Sequence, residues 1–101
     1  MNRKSKYEIE MDFTKAISQA QELERLADDL SRIANSGVGA ALLALESSWR
    51  GDAAGSMNLA GKKATAEIYR TADDLIRVAR NIRSTADLVY RAEKNALDLC
   101  I

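Results

Sequence analysis

A seven-residue repeat in the second half of the sequence is the feature that most constrains the fold. Its members are large aliphatic residues at intervals of seven: Ile68, Leu75, Ile82 and Val89. Alanine stands four positions after each of the first three, at Ala72, Ala79 and Ala86. Apolar residues spaced in this way share one face of an α-helix, and small residues let a second helix approach closely. The repeat therefore predicts a long helix packed against a neighbouring helix with a slight left-handed crossing.

The first half of the chain has the same helical period. Apolar residues follow one another at intervals of three or four positions from Ile9 to Ala34, whereas a strand would alternate at every second residue. Gly37 and Gly39 interrupt the pattern, since each glycine costs up to about 1 kcal/mol relative to alanine in a helix. They would fit either the end of a helix or the close approach of a partner backbone. The helix formers in residues 40–45 favour a continuous or slightly kinked helix.

The middle of the chain contains the residues expected at a turn. Ser47 and Ser48 precede Gly51 and Asp52, and this order fits the stop of one helix followed by the N-cap of the next. We predict a first helix over about residues 8–47, a turn at 48–52 and a second helix over about 53–97. The chain of 101 residues has no proline to break either helix. The predicted fold is all-α, a single domain forming an antiparallel two-helix hairpin.

The length of the predicted helices indicates that the hairpin packs against a second chain. Helices of about 40 residues would each be about 60 Å long, and a lone hairpin of that length leaves much apolar surface exposed. Leu42, Leu59, Ile76 and Leu88 add apolar positions beyond the principal stripes. We therefore predict that two hairpins pair into a four-helix bundle, as a homodimer or with a related chain. Use of the seven-residue repeat within one hairpin alone is the alternative.

The sequence lacks the residues that most enzymes and metal sites require. It contains no histidine, and its single cysteine, Cys100, has no histidine with which to form a nucleophilic pair. No phosphate-binding glycine loop is present. The adjacent carboxylates of Asp73 and Asp74 would point in different directions from a helix. We expect no catalytic activity, no cofactor and no bound metal.

Charge and hydropathy limit the possible partners further. The chain has 15 Lys and Arg residues and 15 Asp and Glu residues, whereas nucleic-acid-binding proteins usually carry a basic excess. Its longest apolar stretch, residues 38–45, is too short to span a bilayer. The N-terminal residues do not lead into an apolar signal segment. We expect no nucleic-acid binding, no stable membrane insertion and no ordinary signal peptide.

The predicted turn contains the sequence Trp49-Arg50-Gly51. A Trp-x-Gly motif between two long helices, in a chain of this length, resembles the WXG100 (ESAT-6-like) family. Leu45, four residues before the tryptophan, and Met57, eight after it, strengthen the resemblance. The resemblance implies helical hairpins that dimerise into four-helix bundles. It also implies export by the bacterial type VII secretion system, through its ATPase and without a cleaved signal peptide.

The second motif of the family is a tyrosine followed four residues later by an acidic residue, near the end of the second helix. Tyr90 is followed by Glu93 at three residues, and we prefer this pair as the C-terminal export signal. Tyr69 and Asp73 have the family spacing but lie early in the second helix, and they remain the alternative. In an antiparallel dimer, Trp49 of one hairpin would lie beside Tyr90 of the other. The two motifs would then form one composite surface.

The resemblance leaves the exact role open. The chain could be exported itself, or it could target and carry a larger secreted toxin by pairing with the N-terminal helices of that toxin. Its partner could be a second copy, a related hairpin protein or such a toxin domain. A cytosolic dimeric adaptor that is not secreted is the alternative function.

Overall fold

The computed structural model describes residues 4–48 and 52–99, and their regular structure is entirely helical. Helix α1 spans Lys6–Arg32, a π-helical segment spans Ile33–Val38, and α2 spans Gly39–Ser48. Helix α3 spans Asp52–Asp98. No strand occurs in the described ranges, so the predicted all-α class is confirmed. Pairing into a four-helix bundle remains a prediction.

The chain divides into two compact units. The first consists of residues 4–24 and 76–99, and the second of residues 25–48 and 52–75. In the first unit, side chains early in α1 contact the end of α3, as Glu10 contacts Tyr90. Glu24, which lies later in α1, contacts Arg83, which lies earlier in α3. The two helices of this unit are therefore antiparallel, as expected in a helical hairpin.

The two most buried residues of the first unit are alanines, and a buried isoleucine accompanies them. Ala20 and Ala79 are both 0% exposed, and Ile9 is 3% exposed. Of the large residues in the seven-residue repeat, Ile82 is half-buried and Val89 is 46% exposed. Alanine at the most buried positions permits a short distance between helix axes, because no long side chain separates the backbones. The larger residues of the repeat then lie at the edges of the contact.

The second unit has a core of the same kind. Its buried residues with described side chains are alanine or glycine, namely Ala27, Ala34, Gly61 and Ala72. The repeat residues Ile68 and Leu75 are half-buried. A core of such small side chains buries little apolar surface, and the apolar side chains around it remain partly exposed.

The stretch that contains Gly37 and Gly39 is helical, in agreement with the predicted continuous helix. Its backbone widens into the π-helical segment Ile33–Val38 before α2 begins. Ser36 donates a hydrogen bond from its hydroxyl to the carbonyl oxygen of Arg32 at 2.8 Å, a contact that tends to bend helices. The π-helical turn accommodates one extra residue, and it shifts the face that the following apolar residues occupy.

A side-chain cap fixes the start of α1. The Ser5 hydroxyl oxygen accepts a hydrogen bond from the backbone N–H of Glu8 at 3.1 Å, and it donates one to the Glu8 carboxylate at 3.3 Å. The residues have the Ser-x-x-Glu spacing of a capping box, although the Glu8 carboxylate here accepts from the Ser5 hydroxyl and not from its backbone N–H. Helix α1 therefore begins at Lys6, whereas the sequence pattern placed its start near residue 8.

We expect Gly39→Ala and Gly55→Ala to stabilise the protein by about 1 kcal/mol each, because both glycines lie within helices and alanine is the better helix former. Among the described residues, no side chain and no backbone outside the glycine's own turn of helix lies within 4 Å of the new methyl group at either site. The backbone of Gly39 has ordinary helical angles, φ −60 and ψ −45. Urea denaturation followed by circular dichroism measures the change. Unchanged or lower stability would contradict the expectation that both sites have room for the methyl group.

Candidate interaction site

The Tyr90 side chain occupies a defined position in the first unit. Its ring lies 4.7 Å from the ring of Phe13, measured between centroids, with the planes tilted by 42°. Its hydroxyl donates a hydrogen bond of 2.8 Å to the carboxylate of Glu10. The ammonium group of Lys94 lies 5.5 Å from the centre of the ring, within the range of a cation–π contact. Contacts from both helices therefore hold Tyr90 in place.

Glu93 contacts Lys4, which lies two residues before the start of α1. The Lys4 ammonium lies 3.3 Å from the Glu93 carboxylate and 2.8 Å from that of Asp12. One cation thus bridges an acidic residue of α3 and one of α1. All three side chains are partly exposed, so this contact stabilises the end of the unit only modestly. The predicted pair Tyr90 and Glu93 is therefore engaged with residues near the start of α1.

Arg83 and Glu24 form a bidentate ion pair elsewhere in the first unit. Arg83 donates two hydrogen bonds to Glu24, from Nε at 3.1 Å and from Nη2 at 2.6 Å. Both side chains are a little more than a third exposed. A bidentate pair of this kind fixes the relative position of two helices better than a single contact does.

The same contacts shift the pKa values of three carboxyl groups. The hydrogen bond from Tyr90 lowers the pKa of Glu10, and that from Lys4 lowers the pKa of Asp12. The hydrogen bonds from Arg83 lower the pKa of Glu24. Each partner stabilises the ionised carboxylate of the folded protein.

Acidification is therefore expected to destabilise the protein. A carboxyl group whose pKa is lower in the folded state stabilises that state above its unfolded pKa, and the contribution is lost as the pH falls through the folded pKa. The ordinary pKa values are 4.5 for Glu10 and Glu24 and 3.8 for Asp12. The loss should therefore begin near pH 4.5 and grow below it, as measured by urea midpoints between pH 7 and pH 3.

Glu24→Gln tests the origin of this pH dependence. The variant should be less stable than the wild type at pH 7, and its urea midpoint should fall less between pH 7 and pH 3. Glu67→Gln is the control. Glu67 pairs with Arg70 at 2.6 Å, and because both residues belong to α3, this ion pair does not connect two helices. Equal pH dependence in the Glu24 variant and the wild type would rule out the Arg83 contact as a source of acid sensitivity.

The other predicted motif residues are placed as follows. Trp49 and Gly51 lie outside the described residues. Tyr69 is 38% exposed and Asp73 is also exposed, both in the second unit. Tyr69 and Asp73 do not share the first unit with Tyr90 and Glu93.

The contacts of Tyr90 with Glu10 and of Glu24 with Arg83 were not predicted from the sequence. Their residues are 80 and 59 positions apart along the chain. The only available signal was the position of Glu10 and Glu24 one residue after Ile9 and Leu23 of the apolar stripe, where side chains flank a helix contact.

The described residues contain no group of three or more acidic or cysteine side chains that could hold a metal ion. Within the same residues, no helix has the length and apolar character that crossing a membrane requires. The arrangement in the first unit, with fixed aromatic and charged side chains beside exposed apolar ones, suits contact with another protein.

Comparison with known proteins finds no matching family model, no matching curated protein and no matching solved structure.

Proposed function

We propose that this chain is a non-catalytic helical protein of a bacterial type VII secretion system. It acts either as an exported substrate or as the targeting partner of a larger secreted effector. The observation that carries the proposal is the Trp49-Arg50-Gly51 motif, which occupies the short interval between the end of α2 at Ser48 and the start of α3 at Asp52. The antiparallel helix pair of the first unit supports it.

The Tyr90–Glu93 pair is the proposed second part of the export signal. The two side chains are three residues apart on α3, so they lie on neighbouring parts of the helix surface. Contacts with Glu10 and Lys4 limit their conformations. A surface with side chains already held in place loses less conformational entropy when a protein binds it. This rigidity supports a role in recognition.

Pairing with another helical chain is part of the proposal. Several large apolar side chains are exposed, including Leu43 at 69%, Leu59 at 56% and Leu88 at 68%. In addition, the first seven residues of α2, 39–45, are all alanine, leucine or glycine, a composition that is common in buried helices. A second copy, a related hairpin protein or the N-terminal domain of a toxin would cover such surfaces in a four-helix bundle.

A secretion assay in the source bacterium tests the function. The chain is detected in culture supernatant and cell pellet, in strains with and without the type VII ATPase. Appearance in the supernatant only when the ATPase is present is the expected result. A cytosolic protein measured in the same fractions controls for lysis. Retention in both strains would contradict export of the chain by itself or with a carrier.

One observation favours a second candidate, a cytosolic adaptor that is not secreted. Lys94, and not an acidic residue, stands four positions after Tyr90, so the spacing of the family's second motif is not met at this position. An adaptor would remain in the pellet of both strains and would co-purify with a helical partner.

A further inference from the structure

The π-helical segment Ile33–Val38 contains one residue more than an α-helix with the same number of turns would hold, because its hydrogen bonds close over five residues in place of four. In an α-helix the carbonyl oxygen of Arg32 would accept a hydrogen bond from the backbone N–H of residue 36. In this chain the side-chain hydroxyl of Ser36 donates to that oxygen at 2.8 Å. The segment therefore interrupts the helical period just before α2 begins.

The residues before the segment define the face of the helix that packs in the second unit. Ala27 and Ala34 are seven residues apart, and they are only 2% and 4% exposed. When helices pack side by side, residues at intervals of seven lie on the contact face, together with companions three or four positions further on. An uninterrupted helix would continue this contact face at residues 37, 38, 41, 44, 45 and 48.

The exposure of the residues after the segment excludes that continuation. Gly37, Ala41 and Ala44 are exposed, although the uninterrupted period would place all three on the contact face. Val38 and Gly39, in contrast, are half-buried. One extra residue moves each expected position up by one, to 38, 39, 42, 45, 46 and 49. The described side chains of α2 at other positions are all exposed, namely those of residues 40, 41, 43, 44 and 47.

The shift changes which side chains stand at the centre of the contact face. Without the extra residue, the interval of seven would continue from Ala34 to Ala41 and Ser48, whereas with it the interval continues to Leu42 and Trp49. Burial of a leucine and a tryptophan removes much more apolar surface from water than burial of an alanine and a serine. This difference favours the π-helical form over an uninterrupted α-helix.

We propose that the π-helical segment is a positioning element for Trp49. Its extra residue turns the following helix so that Leu42 and Trp49, and not Ala41 and Ser48, lie on the contact face of the second unit. The orientation of Trp49 is thereby fixed, and a side chain held in place loses less conformational entropy when a partner binds. The placement follows from the described residues of the second unit, and only its consequence for export rests on the proposed function.

A deletion and an insertion at the same place test the role of the extra residue. Removal of Ser36 should convert the segment into α-helix and leave the later residues facing as before, because the extra residue is lost. The Arg32 carbonyl oxygen then regains a backbone donor. Insertion of one alanine after Ser36 adds a second extra residue and turns the following helix by about 100°. Trp49 is the single tryptophan of the chain, so its fluorescence reports the outcome.

The two length variants are expected to differ in tryptophan fluorescence. The deletion variant should retain the emission maximum and the acrylamide quenching of the wild type. The insertion variant should emit at longer wavelength and be quenched more strongly, because its ring turns toward solvent. Circular dichroism of both variants controls for loss of helix. A changed emission in the deletion variant, or an unchanged one in the insertion variant, would overturn the inference.

Two substitutions test the same face without altering the length of the chain. Leu42→Ser should lower the urea midpoint of unfolding, because position 42 lies on the proposed contact face. Leu43→Ser should change the midpoint little, because Leu43 is 69% exposed. Both variants replace leucine by serine at adjacent helical positions, so the change in helix propensity is the same. Equal midpoints for the two variants would overturn the inference even if the insertion variant does not fold.

ATPase-dependent release separates this inference from the proposed function. The deletion variant should be released like the wild type, and the insertion variant less. Failure of the wild type to be released, together with the expected fluorescence of both variants, would contradict the proposed function alone. Normal release of an insertion variant whose fluorescence is unchanged would contradict the positioning role alone.

Discussion

Ala79→Leu is expected to destabilise the protein by about 3 kcal/mol, the upper end of the range for inserting a larger side chain into a packed core. The side chain of Ala79 is 0% exposed, as is that of Ala20 on the facing helix of the same unit. A leucine there can fit only if the two helices move apart. Their separation would also weaken the ring contact of Phe13 with Tyr90 and the ion pair of Glu24 with Arg83.

Urea denaturation followed by circular dichroism at 222 nm measures this effect. Ala66→Leu is the control, because it is the same substitution on α3 at an exposed position. The control should change the stability little, since leucine and alanine are both good helix formers. A small domain is stable by only about 5–15 kcal/mol, so a loss of about 3 kcal/mol is readily measured. Equal stability of both variants would show that the contact at Ala79 is loose enough to accept a leucine.

Trp49→Ala is expected to reduce ATPase-dependent release by more than about tenfold, because a buried aromatic anchor at a protein interface commonly contributes 2 kcal/mol or more. In the proposed function, which rests on the resemblance to the WXG100 family, this tryptophan is part of the surface that the export machinery recognises. The proposal requires the release to fall further than the helicity does. Release is measured from supernatant and pellet, and helicity from circular dichroism of the purified variant.

Two further variants distinguish loss of recognition from loss of structure. Trp49→Phe keeps an aromatic ring and should retain part of the release. Tyr69→Ala removes an exposed aromatic residue of α3 and should leave release unchanged if Tyr90, and not Tyr69, belongs to the signal. Parallel loss of helicity and release in Trp49→Ala would instead give the tryptophan a purely structural role between the two helices.

Much of the secondary structure could be predicted because it depends on local spacing. The intervals of three and four between apolar residues, and the absence of proline, identify α1 and α3. The π-helical segment was not predicted, although the glycines marked its position. Its geometry depends on the hydrogen bond from Ser36 to Arg32 and on packing around Ala34, which spacing alone does not specify.

The candidate site was predicted in part. The sequence singled out Tyr90 and Glu93 through a family resemblance, but not Glu10 or Lys4, which contact them. A heptad pattern shows which face of a helix is apolar, yet it leaves open how far one helix is shifted along the other. Contacts between residues 80 or more positions apart depend on that shift, and only the tertiary structure gives it.

The sequence by itself determined the helical class, the two long helices and the presence of small residues at every seventh position. These follow from local preference and from the period of the helix. Only the tertiary structure decided that the alanines lie deepest, that polar and charged contacts join α1 and α3 in the first unit, and that a π-helical segment precedes α2. The reason is that the rotation and the axial shift of packed helices are set by how all their side chains fit together.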